Sequence, residues 1–209
     1  MRITFTGVDR RTTKGQIEAL LADDRVEIGV LMTGTPEGRN RYMEPEEILR
    51  ALEWCRGRSA LHVCGGRARD ALLHGDLDAM VVLAGRVQVN GALPASMVEA
   101  ICRVYPRHEI ITQHTDRNRH LLDIGARNHS VLVDGSGGRG ISPAGWNRPV
   151  TGKSVGFAGG LGLLNIASEI EKIRAVAADP FWIDMEGKVR NADDWFDVWA
   201  CHDVLEATR

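Results

Sequence analysis

Short apolar runs rich in β-branched residues recur along the chain, at Ile3–Thr6, Ile28–Met32, Ala60–Cys64, Arg86–Asn90, Glu109–Gln113, Val131–Asp134, Val155–Ala158 and Phe181–Asp184. Their length and composition predict buried strands. Between them apolar residues return at helical spacing. Ile17, Leu20 and Leu21 follow a capping box at Thr13 and Gln16; Ile48, Leu49 and Leu52 follow Pro45; Met97, Ile101 and Val104 follow Pro94. Leu121 and Leu122, then Ile166, Ile170 and Ile173, then Trp195, Val198 and Trp199 repeat the pattern. The stretch between the sixth and seventh strands differs, being rich in glycine and proline with a weak helix signal. Eight strands alternating with helices read as parallel βα units, and eight is the number that closes a (β/α)8 TIM barrel. A doubly wound open sheet shares the alternation. With no linker, low-complexity segment or charge run to divide it, residues 1–209 are expected to form one domain.

Two of these strands empty into glycine. Val131–Asp134 runs into Gly135-Ser136-Gly137-Gly138-Arg139-Gly140, and Val155–Ala158 into Gly159-Gly160. Backbone without side chains lets main-chain N–H groups approach an anion, and a helix expected to begin near Leu163 would add its positive end. In a barrel, function belongs to the carboxyl ends of the strands. Polar residues gather there: Thr6 and Asp9 after the first strand, Arg39 and Arg41 after the second, Cys64 on the third, Gln88 and Asn90 on the fourth. Gln113 and His114 close the fifth, Asp134 the sixth, and Asp184 and Glu186 the eighth. The opposite end carries turn formers such as Asp23-Asp24 and Asp179-Pro180.

Composition narrows the classes. The apolar fraction of 44% and charged fraction of 26% are those of a globular protein with one substantial core. A net charge of −2 and the absence of aromatics interleaved with basic residues disfavour nucleic acid as a partner. No run is long enough to span a bilayer and no signal core opens the chain, so a cytoplasmic protein without a membrane partner is expected. Cys55, Cys64, Cys102 and Cys201 show no CxxC spacing, which speaks against a zinc knuckle or disulfide framework. His62, His114, Asp134 and Asp184 could meet only in space, and no metal-ligand motif joins them. None of the four lysines sits at a strand end, where a Schiff-base amine would be expected.

The order of motifs resembles phosphoribosylanthranilate isomerase over nearly the whole chain. Thr6-Gly7-Val8-Asp9 stands where that family has a Cys-Gly motif, and Arg41-Tyr42 with Pro45-Glu46 resembles its Ser-Pro-Arg segment. Val87-Gln88-Val89-Asn90-Gly91 is similar to its Val-Gln-Leu-His-Gly strand. Leu132-Val133-Asp134, Gly137-Gly138-Arg139-Gly140 and Trp146 match its sixth-strand aspartate, glycine loop and trailing aromatic. Ala158-Gly159-Gly160-Leu161 with Asn165 matches its phosphate loop, and Ile183-Asp184 with Gly187 the start of its eighth loop. The resemblance implies a (β/α)8 barrel that performs an Amadori rearrangement in tryptophan biosynthesis without metal or cofactor. It also implies a phosphorylated small-molecule substrate and a monomer or homodimer.

The same comparison places Asp134 as general acid and Thr6 where the family's cysteine base stands. A neutral hydroxyl has negligible proton affinity near pH 7, so Thr6 is no substitute for a thiolate. His114 and Cys64 are the candidates to replace it, with Asp9 a third. Gly137, Gly138, Gly159, Gly160, Asp184, Glu186 and Gly187 are expected to hold phosphate, with Gln88 and Asn90 on the fourth strand facing the substrate. Arg41 or Arg39 would anchor a second anionic group. Two readings follow: acid–base isomerisation of a phosphorylated sugar or aminosugar, by the Amadori route or a diverged one, and a non-catalytic barrel that binds a phosphorylated metabolite.

Overall fold

A computed structural model of the chain describes residues 1–34, 38–134 and 140–209. Eight parallel strands close into a barrel in sequential order: β1 Arg2–Thr6, β2 Val26–Thr33, β3 Ser59–Cys64, β4 Arg86–Val89, β5 Glu109–His114, β6 His129–Asp134, β7 Val155–Ala158 and β8 Trp182–Met185. The β1–β8 seam completes the ring, with Thr4 opposite Asp184. The expected strands all form, their ends shifted by a residue or two. An open sheet is excluded by that seam.

Among the described residues, seven α-helices surround the barrel: α1 Lys14–Leu20, α2 Pro45–Cys55, α3 Gly66–His74, α4 Asp78–Leu83, α5 Ala95–Val104, α6 Ile166–Arg174 and α7 Val198–Ala207. The Thr13/Gln16 capping box forms as its spacing predicts, and Pro45 opens α2. Leu121 and Leu122 lie on a 3₁₀ segment, Asp116–Asp123, in place of an α-helix. α6 begins at Ile166, three residues beyond the expected Leu163. Trp195 precedes α7 and packs under the Arg11 guanidinium at 3.8 Å. Among the described residues no helix is long and apolar enough to cross a membrane.

Alternation along each strand gives the barrel two chemically different sides. Ile3, Phe5, Ile28, Val30, Leu61, Val63, Val87, Val89, Phe157 and Ile183 belong to the large apolar core shared with the helices. The intervening residues point inward and are mostly polar. At the amino end Thr4 donates to Glu27 Oε2 at 2.9 Å, and Arg86 Nε donates to Glu27 Oε1 at 2.9 Å. Arg86 also lies 4.6 Å over the Trp182 ring. Burial alone would raise Glu27, but the charge and hydrogen bonds of Arg86 outweigh it and hold the carboxyl below its ordinary range. Trp182 packs with Ile111 and Leu132 as a small apolar layer above this pair. The layer depends on Gly156, since a Cβ there would lie 2.0 Å from the Trp182 ring. These residues plug the barrel and leave its carboxyl end open.

Candidate active site

The open end holds a cavity of about 440 Å³, lined among others by His62, Gln88, Asn90, Gln113, Asp134, Asp184, Glu186 and Lys188. Its size suits a small molecule. Strand ends supply the floor, and the loops after β7 and β8 supply one wall.

Asp184 is the most perturbed group on that floor. Its Oδ1 accepts the Thr6 hydroxyl at 2.7 Å, and its Oδ2 lies 3.9 Å from His62 Nε2. Burial pushes its carboxyl up to about 7; the Thr6 hydrogen bond and Arg86 pull it down, while the charges of Glu27 and Asp134 push it further up. Thr6 reaches this position because β2 has a glycine beside it: a Cβ on Gly29 would sit 2.1 Å from Thr6 Oγ1. Thr6 thus lies behind Asp184 and outside the cavity lining. The resemblance groups Asp184 with the phosphate-binding residues; the structure sets its carboxyl on the cavity floor, 7% exposed.

A chain of hydrogen bonds crosses the floor from β3 to β4. Asn90 Nδ2 donates to Cys64 Sγ at 3.3 Å, and Gln88 Nε2 donates to Asn90 Oδ1 at 3.0 Å and meets His62 Nδ1 at 3.2 Å. His62 is 2% exposed and its Nε2 has no hydrogen-bond partner. Burial lowers His62 to about 4, with Arg86 acting in the same sense and the charges of Glu186 and Glu27 opposing. The sequence leaves open whether His62 turns into or out of the barrel wall. Its parity with Cys64, two positions on, was the signal that both face inward.

The other candidates divide. Asp134 lines the cavity and accepts from Gln113 Nε2 at 3.2 Å, while Gln113 Oε1 accepts the Gly91 N–H at 3.1 Å. Burial pushes the Cys64 thiol up to about 11, which removes the thiolate a base would need. His114 lies outside the cavity lining, with its Nδ1 buried and unpartnered; burial first, and Arg119 second, lower its pKa. Asp9 is structural: it pairs with the buried Arg190 at 3.2 Å and accepts the Phe196 N–H at 2.6 Å. Arg39 is exposed and away from the cavity. Arg41 lines it, yet already holds two carboxylates, Glu186 and Asp194, the second at 2.5 Å. Burial alone would lower Arg41, and those carboxylates outweigh it.

Around β7 the loop is built for close approach. Gly159 and Gly160 take φ of 124° and 63°, and a Cβ on Gly160 would lie 2.3 Å from Ser142 N. Asn165 ties the loop, donating to Gly160 O at 3.0 Å and accepting from Gly162 N at 2.9 Å. Trp146 donates to Glu169 Oε2 at 2.7 Å and so fastens the segment before β7 to α6. Gly187 lines the cavity beside Lys188. Gly137 and Gly138 lie outside the described residues. Among the described residues, no group of three or more His, Cys, Asp or Glu side chains is placed to hold a metal ion.

No family model and no curated protein matches the sequence. Solved structures do match its shape. Phosphoribosyl anthranilate isomerase from Thermus thermophilus is 20% identical with a TM-score of 0.71, covering 100% of this chain and 98% of that one. TrpF from Jonesia denitrificans is 20% identical with a TM-score of 0.73, covering 100% and 97%. A phosphoribosyl anthranilate isomerase in complex with reduced 1-(o-carboxyphenylamino)-1-deoxyribulose 5-phosphate is 17% identical with a TM-score of 0.66, covering 99% and 97%. The chain is therefore a (β/α)8 barrel similar, from end to end, to the phosphoribosylanthranilate isomerases.

Proposed function

We propose that the protein isomerises a phosphorylated sugar or aminosugar by acid–base proton transfer, with Asp134 as the acid and the glycine loop after β7 holding the phosphate. The observation that carries this reading is the convergence of two strand-end carboxylates, Asp134 and Asp184, on one cavity that also opens to Gly159, Gly160 and Lys188. Main-chain N–H groups and a lysine suit a phosphate, while paired carboxylates in different surroundings suit proton transfer. The likeness to a barrel crystallised with a ribulose 5-phosphate derivative supports the substrate class. The Amadori rearrangement of phosphoribosylanthranilate is one reaction within that class. A single-domain cytoplasmic protein, monomeric or homodimeric, working without metal or cofactor, is the setting this reading implies.

Calorimetry with ribulose 5-phosphate and an isomerase assay with phosphoribosylanthranilate and phosphorylated aldoses test it. Lys188→Met is expected to weaken binding, and Asp134→Asn to abolish turnover while sparing binding. Turnover left intact by Asp134→Asn would overturn its role, and a wild-type protein that binds no sugar phosphate would overturn the whole reading.

A further inference from the structure

We infer that His62 and Asp184 are the proton-handling pair of this cavity: His62 presents an Nε2–H to a substrate oxygen while Asp184 shuttles a proton between the two adjacent carbons. The inference rests on the reading above and names the base that the threonine at position 6 leaves vacant.

The tautomer of His62 follows from its neighbours. Gln88 Nε2 is a donor only, so the His62 Nδ1 that meets it at 3.2 Å must accept. The amide orientation follows from Cys64, whose thiol donates to His62 O at 3.7 Å and leaves its sulfur to accept from Asn90 Nδ2, so that Asn90 offers its oxygen to Gln88. A neutral ring whose Nδ1 accepts carries its proton on Nε2. His62 lines the cavity, and its buried Nε2 has no hydrogen-bond partner. A buried donor without an acceptor is costly, and a ligand atom would restore the bond. The 3.9 Å between His62 Nε2 and Asp184 Oδ2 is too long for a direct hydrogen bond, so each atom is left to face the cavity.

Asp184 is oriented by the opposite device. Its Oδ1 is engaged by the Thr6 hydroxyl, which turns Oδ2 toward His62 and the cavity. A carboxyl at about 7 is present in both protonation states near neutrality, and an imidazole at about 4 remains a neutral donor.

In the reaction Asp184 Oδ2 takes the proton from the carbon beside the substrate carbonyl. The C–H electron pair becomes a C=C bond and the carbonyl π pair moves to oxygen, where the His62 Nε2–H stabilises it. The proton on the second oxygen passes to the first with Asp134 as the acid. Asp184 then returns its proton to the former carbonyl carbon. Protons and electrons balance within the substrate, and no outside oxidant or reductant is required.

The test follows deuterium entry from D₂O into bound ribulose 5-phosphate by proton NMR, beside the ¹⁵N spectrum of the His62 ring. Asp184→Asn and His62→Ala are expected to bind ribulose 5-phosphate, with exchange lost on the order of 10²–10⁴-fold. His62→Gln, which restores an N–H donor, is expected to keep more exchange than His62→Ala, and the ring to show the Nε2–H tautomer. Exchange retained by Asp184→Asn or His62→Ala, equal loss in the glutamine and alanine variants, or an Nδ1–H tautomer would each overturn the proposal. Wild-type binding without exchange would overturn it alone. Absence of binding would overturn the phosphate-site reading and this proposal with it.

Discussion

Thr6 donates its hydroxyl proton to Asp184 across the seam where the first and last strands of the barrel meet, at 2.7 Å and between two buried side chains. A side chain that cannot itself act as a base therefore orients one that can.

Asp184 leaves a signature in the pH dependence of stability. Its carboxyl rises from 3.8 to about 7 on folding, so between those values the native state holds a proton that the unfolded chain has released. Stability from this group is present at low pH and withdrawn as pH rises through about 7. His62 and His129, both lowered to about 4, act in the opposite sense between that value and 6.5. Asp184→Asn removes only the first effect. Its stability relative to wild type, measured by urea denaturation, is expected to climb from pH 4 to pH 7 by on the order of a few kcal/mol and then level off. A flat difference would contradict the buried carboxyl.

The glycine at position 29 is a spacer for Thr6. A Cβ there meets the Thr6 hydroxyl at 2.1 Å and its Cα at 2.8 Å. Gly29→Ala is expected to cost about 1–3 kcal/mol and to disturb the Thr6–Asp184 bond. Adding Thr6→Ala should recover only part of the loss, because the backbone contact persists. Denaturation of the single and double variants measures this directly.

Glu27 and Arg86 are both about 95% buried by side chain and paired in the barrel interior. Removing one partner strands the other charge away from water, at about 3–5 kcal/mol. Arg86→Met and Glu27→Leu should each show that loss, whereas the double variant should be markedly more stable than either. Additive losses would mean the pair is solvated.

The thiols should be unreactive while the protein is folded. Burial pushes Cys55 to about 12, Cys64 and Cys102 to about 11, and Cys201 well above its ordinary value. At pH 8 an aromatic disulfide reagent is expected to react on the order of 100-fold more slowly than with the urea-unfolded chain. Rapid labelling of one native thiol would identify an accessible thiolate.

The barrel was legible in the sequence because its evidence is local. Each strand is a short apolar run, and helices such as α1 and α2 announce themselves by a capping box or an opening proline. α3 gives little signal because it buries only Ala68 and Leu72 and its first turns carry Arg67, Arg69 and Asp70, and α4 is a six-residue turn of helix. The candidate site was legible to the extent that it sits at strand ends. Depth was not. Nothing near Asp184 in the sequence separates a loop carboxylate from one buried under Thr6, 178 residues away, and Asp9 finds Arg190 at a separation of 181. Long-range pairings of this kind depend on barrel closure and register.

Among the described residues, the plug formed by Glu27, Arg86 and Trp182 makes the barrel a vessel with one mouth. Whatever enters above His62 and Asp184 must leave by the way it came. On the isomerase reading proposed above, product departure and the next substrate's arrival would compete for the same opening, past Lys188 and the glycine loop, and traffic at that rim would set an upper bound on turnover that floor chemistry could not raise.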